Sequence, residues 1–214
     1  MKDINPDAYI VGEVWEHAED WLGGDTFDAV MNYPLARLAF RFFSDKDEKL
    51  SASEFANELG RLRVRYPHEA TMVLQNLYSS HDTDRWASRI MNPDMPYDSG
   101  NRLDENPTYD VSPPTDEAYR RLKLMAFFQA TYLGAPMIWY GTEVGMYGAD
   151  DPMTRMPMWW EDMMPYNNPE YRIREDVREE FRALFELRRE HEVLRRGDFL
   201  TIKADDAKDV IAYL

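Results

Sequence analysis

The sequence predicts a parallel α/β fold, and three observations lead to this prediction. Short β-rich runs alternate with longer stretches of helical periodicity along most of the 214 residues. Long irregular stretches follow several strand-like runs, as expected when loops at the carboxyl ends of parallel strands carry a site. Two of the apolar runs lead into a carboxylate, at Glu13 and at Asp82. These two positions indicate where such a site would lie.

Four runs are predicted to form the strands of this fold. Each is short, apolar and rich in aromatic or β-branched residues. They are residues 9–15, 27–33, 71–78 and 136–140. Two later runs, 199–203 and 210–214, are predicted to be the first strands of a separate β domain.

Helices are predicted between the strands from capping residues and apolar spacing. Pro34 suits the first turn of a helix. Ser51 with Glu54 forms a capping box, and Pro67 ends the helix that follows. Thr115 can cap a helix that becomes apolar on nearly all sides, which predicts deep packing. A last long helix is predicted over roughly residues 171–191.

A strand followed by a helix occurs four times in this assignment. Four such units are half of an eight-stranded (β/α)8 barrel, the TIM barrel. We therefore predict a partial barrel over residues 1–195 and the first strands of a C-terminal β-sandwich domain over residues 196–214. A half barrel would leave two sheet edges unpaired, so we expect the chain alone to self-associate or to be poorly soluble.

Composition excludes several classes of protein. The formal net charge is -15, from 40 acidic and 25 basic residues, and no Lys/Arg stripe offsets it. Nucleic acid and acidic ligands are therefore disfavoured as partners, and a neutral or cationic ligand is favoured. The absence of cysteine excludes disulfides and thiolate metal sites within this sequence. No run approaches the roughly 18–20 apolar residues of a membrane span, and the compartment, cytoplasm or periplasm, stays open.

Glu13 is the first candidate catalytic residue. Strand alternation places Val11, Glu13 and Trp15 on one face. Apolar neighbours partly desolvate a carboxylate and favour its protonated form, which a general acid needs. The local pattern alone fits a solvated or arginine-paired glutamate at the end of a strand at least as well.

His81 and Asp82 follow the third predicted strand. An adjacent imidazole and carboxylate can bind neighbouring sugar hydroxyls as donor and acceptor. A turn cap is an equally good local explanation for Asp82. Trp15, Trp21 and Trp86 flank these groups in sequence; they could stack on sugar rings, although packing is the commoner role of tryptophan.

Taken together, the motifs resemble the second half of the catalytic barrel of the α-amylase superfamily. Residues 12–15, GEVW, resemble its fifth-strand motif, in which the glutamate is the general acid/base. Residues 80–83, SHDT, resemble its seventh-strand motif, in which His and Asp hold the sugar and Asp stabilises the transition state. The run WLGGDTFDAVMNYPL is similar to the cyclomaltodextrinase, neopullulanase and maltogenic amylase group. Segments that resemble the sixth strand, the eighth strand and the stretch after it are residues 27–34, 134–145 and 151–159.

This resemblance implies a retaining hydrolase of α-1,4-glucosidic bonds in α-glucans. It assigns catalytic roles to Glu13 and Asp82, and substrate binding to His81, Trp15 and Arg155. Maltooligosaccharides, cyclodextrins or pullulan-type glucans are the implied substrates. We expect no cofactor, no metal and no membrane or nucleic-acid partner. Relatives in this group often carry an N-terminal β domain and dimerise through it, which leaves a homodimer open for the parent protein.

The resemblance also predicts a missing group. The nucleophile of the family is an Asp within an Arg-x-Asp pattern at the end of the fourth strand, and this sequence begins just before the fifth. We therefore expect a fragment that has no significant glycosidase activity by itself. Asp84 precedes Arg85 in a different motif and is not assigned as the nucleophile.

Three alternatives to this hydrolase stay open. The chain could be a non-catalytic relative, a glucan-binding half barrel with an open cleft, or a transglycosylase that uses the same residues. Retention of Glu13 and Asp82 disfavours the first of these. Hydrolysis and transglycosylation differ only in how water competes at the acceptor site, which the sequence does not decide.

Overall fold

The computed structural model describes all 214 residues. Its main elements run in this order: β1 (Val11–Gly12), β2 (Ala29–Val30), α1 (Tyr33–Phe43), α2 (Ala52–Arg65), α3 (His68–Thr71), β3 (Gln75–Asn76), α4 (Trp86–Met91), α5 (Asp116–Thr131), β4 (Ala135–Pro136), α6 (Glu175–Glu190), α7 (Val193–Arg196), β5 (Thr201–Asp205) and β6 (Val210–Tyr213). Short 3-10 turns occupy Glu19–Trp21, Thr142–Val144, Met153–Arg155 and Glu161–Met163. None of the helices combines the length and the apolar character that crossing a bilayer requires.

The first four strands are parallel, as predicted. β1 pairs with β2, and β3 pairs with β4. A parallel bridge between Met31, directly after β2, and Gln75 in β3 joins the two pairs. The four strands thus follow one another in chain order with their carboxyl ends at one edge. Side chains that follow these ends are brought together there.

Several predicted bounds are wrong. Each of the first four strands has only two residues in its ladder. The third predicted strand, 71–78, begins inside α3, since Pro67 opens a new helical turn after ending α2. The last long helix begins at Glu175 instead of residue 171. The short helices α4 and α7 were not predicted.

The predicted starts of α2 and α5 are confirmed by their caps. Ser51 Oγ accepts a hydrogen bond from the Glu54 backbone N–H, and the Glu54 carboxylate accepts one from the Ser51 N–H. Thr115 Oγ accepts from the N–H of Ala118, 3.1 Å away. The side chain of Asn32 caps α1 directly before Tyr33. Caps of this kind each stabilise a helix by about 1 kcal/mol, and the cap on α1 fixes the backbone beside the strand ends.

Helix α5 is buried on one side only. Leu122 and Met125 are fully buried, whereas Leu124 and Phe127 are about half exposed. The prediction that this helix packs on nearly all sides is therefore wrong. Its buried side belongs to the single large core between the strands and the helices.

Buried side-chain amides connect the strand region in a fixed register. Asn32 Nδ2 donates to Asn76 Oδ1 at 2.8 Å, and Asn76 Nδ2 donates to the Leu133 carbonyl at 2.6 Å. Gln129 Nε2 donates to the Asn76 carbonyl at 2.7 Å. Gly134 has a φ of +93°, and a Cβ there would lie 2.6 Å from Asn76 Nδ2. Only glycine therefore allows this amide ladder to close.

The last strands form an antiparallel hairpin. β5 pairs with β6, with an irregularity in register between Thr201 and Lys203. The hairpin packs against α5, where the rings of Phe128 and Tyr213 have centroids 5.8 Å apart. Its outer side exposes Leu200 and other apolar residues.

Candidate active site

Glu13, His81 and Asp82 lie together at the carboxyl edge of the parallel strands. Glu13 directly follows β1, and the other two residues lie in the loop after β3. One imidazole nitrogen of His81 and one carboxylate oxygen each from Glu13 and Asp82 all lie within 4.8 Å of one another. The parallel strand order therefore brings the predicted carboxylates and the predicted histidine into one cluster.

His81 lies between the two carboxylates. Its Nε2 is 3.3 Å from Asp82 Oδ2 and 3.8 Å from Glu13 Oε2. The ring of Trp139, at the end of the β4 region, has its centroid 6.0 Å from that of His81. The side chains of Glu13, His81 and Asp82 are 35–38% exposed, so a ligand can reach all three.

Arg155 holds Asp82 in place. Its Nη2 donates to Asp82 Oδ1 at 2.6 Å, and its Nε donates to the His81 carbonyl at 2.9 Å. Asp151 Oδ1 lies 3.4 Å from the same Nε. The 3-10 turn that carries Arg155 thus ties the segment after β4 to the loop after β3. Asp82 keeps its second oxygen, Oδ2, on the side of His81.

Tyr33 is a residue of the site that the sequence did not reveal. It is fully buried at the start of α1, and its hydroxyl donates to Glu13 Oε1 at 2.8 Å. The same hydroxyl lies 3.1 Å from Ser80 Oγ, which accepts a hydrogen bond from the Asp82 N–H at 3.1 Å. Burial raises the pKa of Tyr33 above its ordinary value, and the contact with Glu13 adds to the shift. Tyr33 is therefore a neutral donor at any physiological pH.

Of the three tryptophans considered from the sequence, Trp15 alone lies beside the cluster. Its ring stacks on Tyr33 with centroids 3.9 Å apart and planes 9° apart. That stack leaves at most one face of Trp15 for a sugar. Trp21 packs on Phe27, and Trp86 is buried in the core.

Apolar neighbours were expected to shield the Glu13 carboxylate from solvent, and the structure does not show this shielding. Its side chain is 35% exposed, and Val11 is only partly buried. The reason is that β1 is two residues long, so Glu13 lies beyond the ladder instead of inside a packed sheet face.

A second set of carboxylates lies in the loops behind this cluster. Asp84 is 1% exposed and accepts a hydrogen bond from the Tyr109 hydroxyl. Burial raises the pKa of Asp84 to about 6 and that of Asp98 to about 6. Burial also raises the pKa of Asp150, which is 7% exposed. Being sealed from solvent, Asp84 cannot reach a substrate.

The cluster of Glu13, His81 and Asp82 also contains side-chain types that bind divalent cations. Arg155 opposes this use, because its guanidinium already occupies Asp82 Oδ1 and would repel a metal ion. A neutral polyhydroxyl ligand meets no such repulsion. Histidine, arginine and carboxylates together supply the donors and acceptors that such a ligand needs.

Facing carboxylates at the carboxyl ends of parallel strands are characteristic of glycoside hydrolases built on TIM barrels. Comparison with known proteins agrees with this class. The model of the family described as "Alpha amylase, catalytic domain" matches residues 1–197. The chain belongs to this family of α-amylase catalytic domains.

Individual relatives come from one functional group within the family. A cyclomaltodextrinase from Geobacillus thermopakistaniensis (strain MAS1) is 38% identical over 213 residues, which are 100% of this chain and 30% of that protein. Neopullulanase 2 from Thermoactinomyces vulgaris is 36% identical over 214 residues, 100% of this chain and 31% of that protein. The solved type III pullulan hydrolase from Thermococcus kodakarensis is 29% identical, with a TM-score of 0.76 over 99% of this chain and 32% of its own. The chain therefore spans about a third of the length of these relatives.

Proposed function

We propose that this chain carries the acid/base half of a retaining hydrolase of α-1,4-glucosidic bonds in α-glucans. The observation that supports this most directly is the cluster of Glu13, His81 and Asp82 at the strand ends of an α-amylase family chain. The relatives are named for cyclomaltodextrin and pullulan. Cyclodextrins, pullulan and maltooligosaccharides are therefore the substrates we propose.

Glu13 is the general acid/base in this proposal. Its carboxyl group gives a proton to the glycosidic oxygen as the bond breaks, and later takes one from the attacking water. Tyr33 occupies Glu13 Oε1. Glu13 Oε2, 3.8 Å from His81 Nε2, is then the oxygen free for proton transfer.

Asp82 and its neighbours hold the sugar. The Asp82 carboxylate, fixed by Arg155, stabilises the positive charge that develops on the sugar ring. His81 donates a hydrogen bond to a sugar hydroxyl. Trp15 offers its free face to a sugar ring, and Arg155 binds a neighbouring hydroxyl with the donors that Asp82 leaves unused.

The covalent intermediate requires a nucleophile about 5–5.5 Å from the acid/base. Arg155 fixes one oxygen of Asp82, which suits a stationary stabiliser better than an attacking group. We propose that the nucleophile is not among these 214 residues. On this proposal residues 1–195 are part of a (β/α)8 barrel, and residues 196–214 begin a C-terminal β domain.

The stereochemistry of the product tests the proposed function. The full-length natural protein is incubated with maltohexaose, β-cyclodextrin or pullulan, and the first product is observed by 1H NMR before mutarotation. We expect the α-anomer, because two displacements retain configuration. A β-anomer, or binding of glucans without turnover, would contradict the proposal.

The assignment of Glu13 is tested separately with the Glu13→Gln variant. Turnover of maltohexaose should fall by about 10²- to 10⁴-fold, the range that general acid–base catalysis contributes. Azide should restore turnover of an activated aryl glucoside and give the α-glucosyl azide, since azide needs no general base. Glu16→Gln is the matched control, because Glu16 is exposed and pairs with Arg37. Equal losses in the two variants would remove Glu13 from the mechanism.

The 214-residue chain, assayed alone, tests where the nucleophile lies. We expect no turnover of maltohexaose by the purified chain. Turnover with retention would place the nucleophile within it, and Asp82 would then be the first residue to replace.

A further inference from the structure

We propose that Tyr33 is a positioning residue that holds the acid/base Glu13 in its working orientation and links it to the loop of Asp82. The inference rests on the proposed role of Glu13. It goes beyond that role, because the motifs that contain Tyr33 assign it no function and the names of the relatives do not concern it. Three observations support it: the attachment of Tyr33 to the backbone, the contacts of its hydroxyl and the packing of its ring.

The backbone of Tyr33 is held on both sides. It is the first residue of α1; Asn32 caps the helix before it, and Pro34 restricts the backbone after it. Asn32 is in turn held by Asn76 through the buried amide ladder. Tyr33 itself is fully buried. Its side chain therefore has a fixed origin and little room to change rotamer.

The hydroxyl of Tyr33 connects three strand ends. It donates to Glu13 Oε1 at 2.8 Å, after β1, and lies 3.1 Å from Ser80 Oγ, after β3. Ser80 Oγ accepts the Asp82 N–H at 3.1 Å. A continuous hydrogen-bonded path therefore runs from the proposed acid/base to the proposed stabiliser. A tyrosine hydroxyl has one proton to donate, and burial keeps that proton in place by raising the pKa of Tyr33.

The ring of Tyr33 has a separable role. It stacks on Trp15 with centroids 3.9 Å apart. Replacement by phenylalanine keeps this stack and removes only the hydroxyl. The variant Tyr33→Phe therefore separates the orientation of Glu13 from the packing of the proposed sugar platform.

Loss of the hydroxyl is expected to loosen the position of Glu13. The carboxylate gains rotational freedom, which places the proton less accurately on the glycosidic oxygen. The other groups that face Glu13, namely His81 at 3.8 Å and Asp82 with its partner Arg155, are unchanged in this variant.

The test compares Tyr33→Phe with the wild type in the full-length natural protein. With maltohexaose we expect kcat to fall by about 10- to 100-fold, while KM stays within about twofold because the stack on Trp15 is kept. Ser80→Ala should lower kcat in the same direction by less, since it removes a partner of the Tyr33 hydroxyl and the acceptor of the Asp82 N–H but keeps the bond from Tyr33 to Glu13.

Tyr78→Phe is the matched control. Tyr78 is equally buried, yet its hydroxyl has no hydrogen-bond partner. This control should keep the wild-type kcat and KM. Wild-type kinetics in Tyr33→Phe would overturn the inference. A lowered kcat with KM raised by a similar factor and a melting temperature below that of Tyr78→Phe would also overturn it, because that pattern indicates a purely structural role.

Two further outcomes have definite meanings. If Tyr33→Phe fails to fold, Ser80→Ala decides: unchanged kinetics in that variant overturn the inference. A wild-type protein that folds and does not turn over any α-glucan would overturn the proposed function, and this inference with it. Failure of the inference alone requires an active wild type, so the two cases are distinguishable.

Discussion

Asp82 and Asp84 stand two residues apart on one loop and meet opposite surroundings. The Asp82 side chain is 37% exposed, pairs with Arg155 at 2.6 Å and lies beside His81. Asp84 is 1% exposed, and its carboxylate accepts a hydrogen bond from the Tyr109 hydroxyl. The loop after β3 thus sends one carboxylate toward solvent and the other into the protein.

This difference shows what a raised carboxyl pKa means in this protein. Burial raises the pKa of Asp84 to about 6, and Asp150 adds to the shift. The hydrogen bond from Tyr109 and the charge of Arg89 oppose this shift only in part. Perturbed carboxyl groups often mark catalytic sites. Here the clearest perturbation marks burial behind the site instead.

The comparison predicts that only the exposed carboxylate matters for turnover. Asp82→Asn should lower kcat/KM for maltohexaose by about 10²- to 10³-fold, because a fixed charge that stabilises the transition state is lost. Asp84→Asn, assayed in the same full-length protein, should stay within a few-fold of wild type. A comparable loss in both variants would break the comparison.

The buried carboxylate should instead control how stability depends on pH. The folded pKa of Asp84, about 6, lies above its ordinary value of 3.8, so the folded state binds the proton more tightly than the unfolded state. Stability is therefore highest at low pH and is lost as pH rises from about 4 to about 6. A shift of about two pKa units corresponds to about 3 kcal/mol. An asparagine side chain at this position has no proton to lose, so it would remove this dependence.

We expect Asp84→Asn to be more stable than wild type at pH 7.5 by up to about 3 kcal/mol, and no more stable at pH 4. Urea unfolding of the full-length protein at the two pH values measures this difference. Asp94→Asn is the control, since Asp94 is exposed and pairs with Lys46. An identical pH dependence in Asp84→Asn and wild type would mean that the buried carboxyl is not the cause.

The next prediction concerns Arg155, which pairs with the exposed carboxylate of Asp82. Arg155→Ala removes the bond to Asp82 Oδ1 and the bond to the His81 carbonyl. We expect kcat/KM for maltohexaose to fall by about tenfold. An exposed charged pair contributes about 1 kcal/mol, and the loop after β3 also loses the hydrogen bond from Arg155 to the His81 carbonyl. Arg182→Ala on α6 should have no effect, because Arg182 pairs only with the exposed Glu179. Unchanged kinetics in Arg155→Ala would indicate that Asp82 keeps its position without a partner.

The smallest effect is expected at Trp15. Trp15→Ala should weaken maltohexaose binding by about three- to tenfold, because an aromatic stacking face contributes about 1 kcal/mol. Calorimetric titration in a Glu13→Gln background measures binding without turnover. Trp21→Ala is the control, since Trp21 is partly exposed but packs on Phe27. Equal weakening in both variants would contradict a specific sugar platform at Trp15.

Local chemistry made much of the helical structure predictable. The capping box of Ser51 and Glu54 and the cap of Thr115 each depend on residues three apart. Helix α4 was not predicted, because it has only six residues and no side-chain cap. The strand lengths were overestimated, since an apolar run shows that residues are buried but not how many of them pair.

The candidate site was predictable only in part, for a similar reason. Glu13, His81 and Asp82 each follow a recognisable strand signal, and parallel order brings such residues together. Tyr33 also follows a strand, at the end of the second predicted run. Its importance comes from contacts to Glu13 and to Ser80, 20 and 47 positions away. No local pattern encodes contacts of that separation.

The amide ladder of Asn32, Asn76 and Gln129 fixes the register of the parallel strands. The short strands do not fix that register by their own backbone bonds. A ladder of two residues tolerates slippage, because few backbone bonds oppose it. A slip of one residue would shift a strand by about 3.3 Å, and the buried amides would lose their partners at the same moment. Asn76 therefore holds its strand in register with the segments on both sides. The distance between Glu13 after β1 and Asp82 after β3 therefore depends on buried amides that lie outside the proposed site.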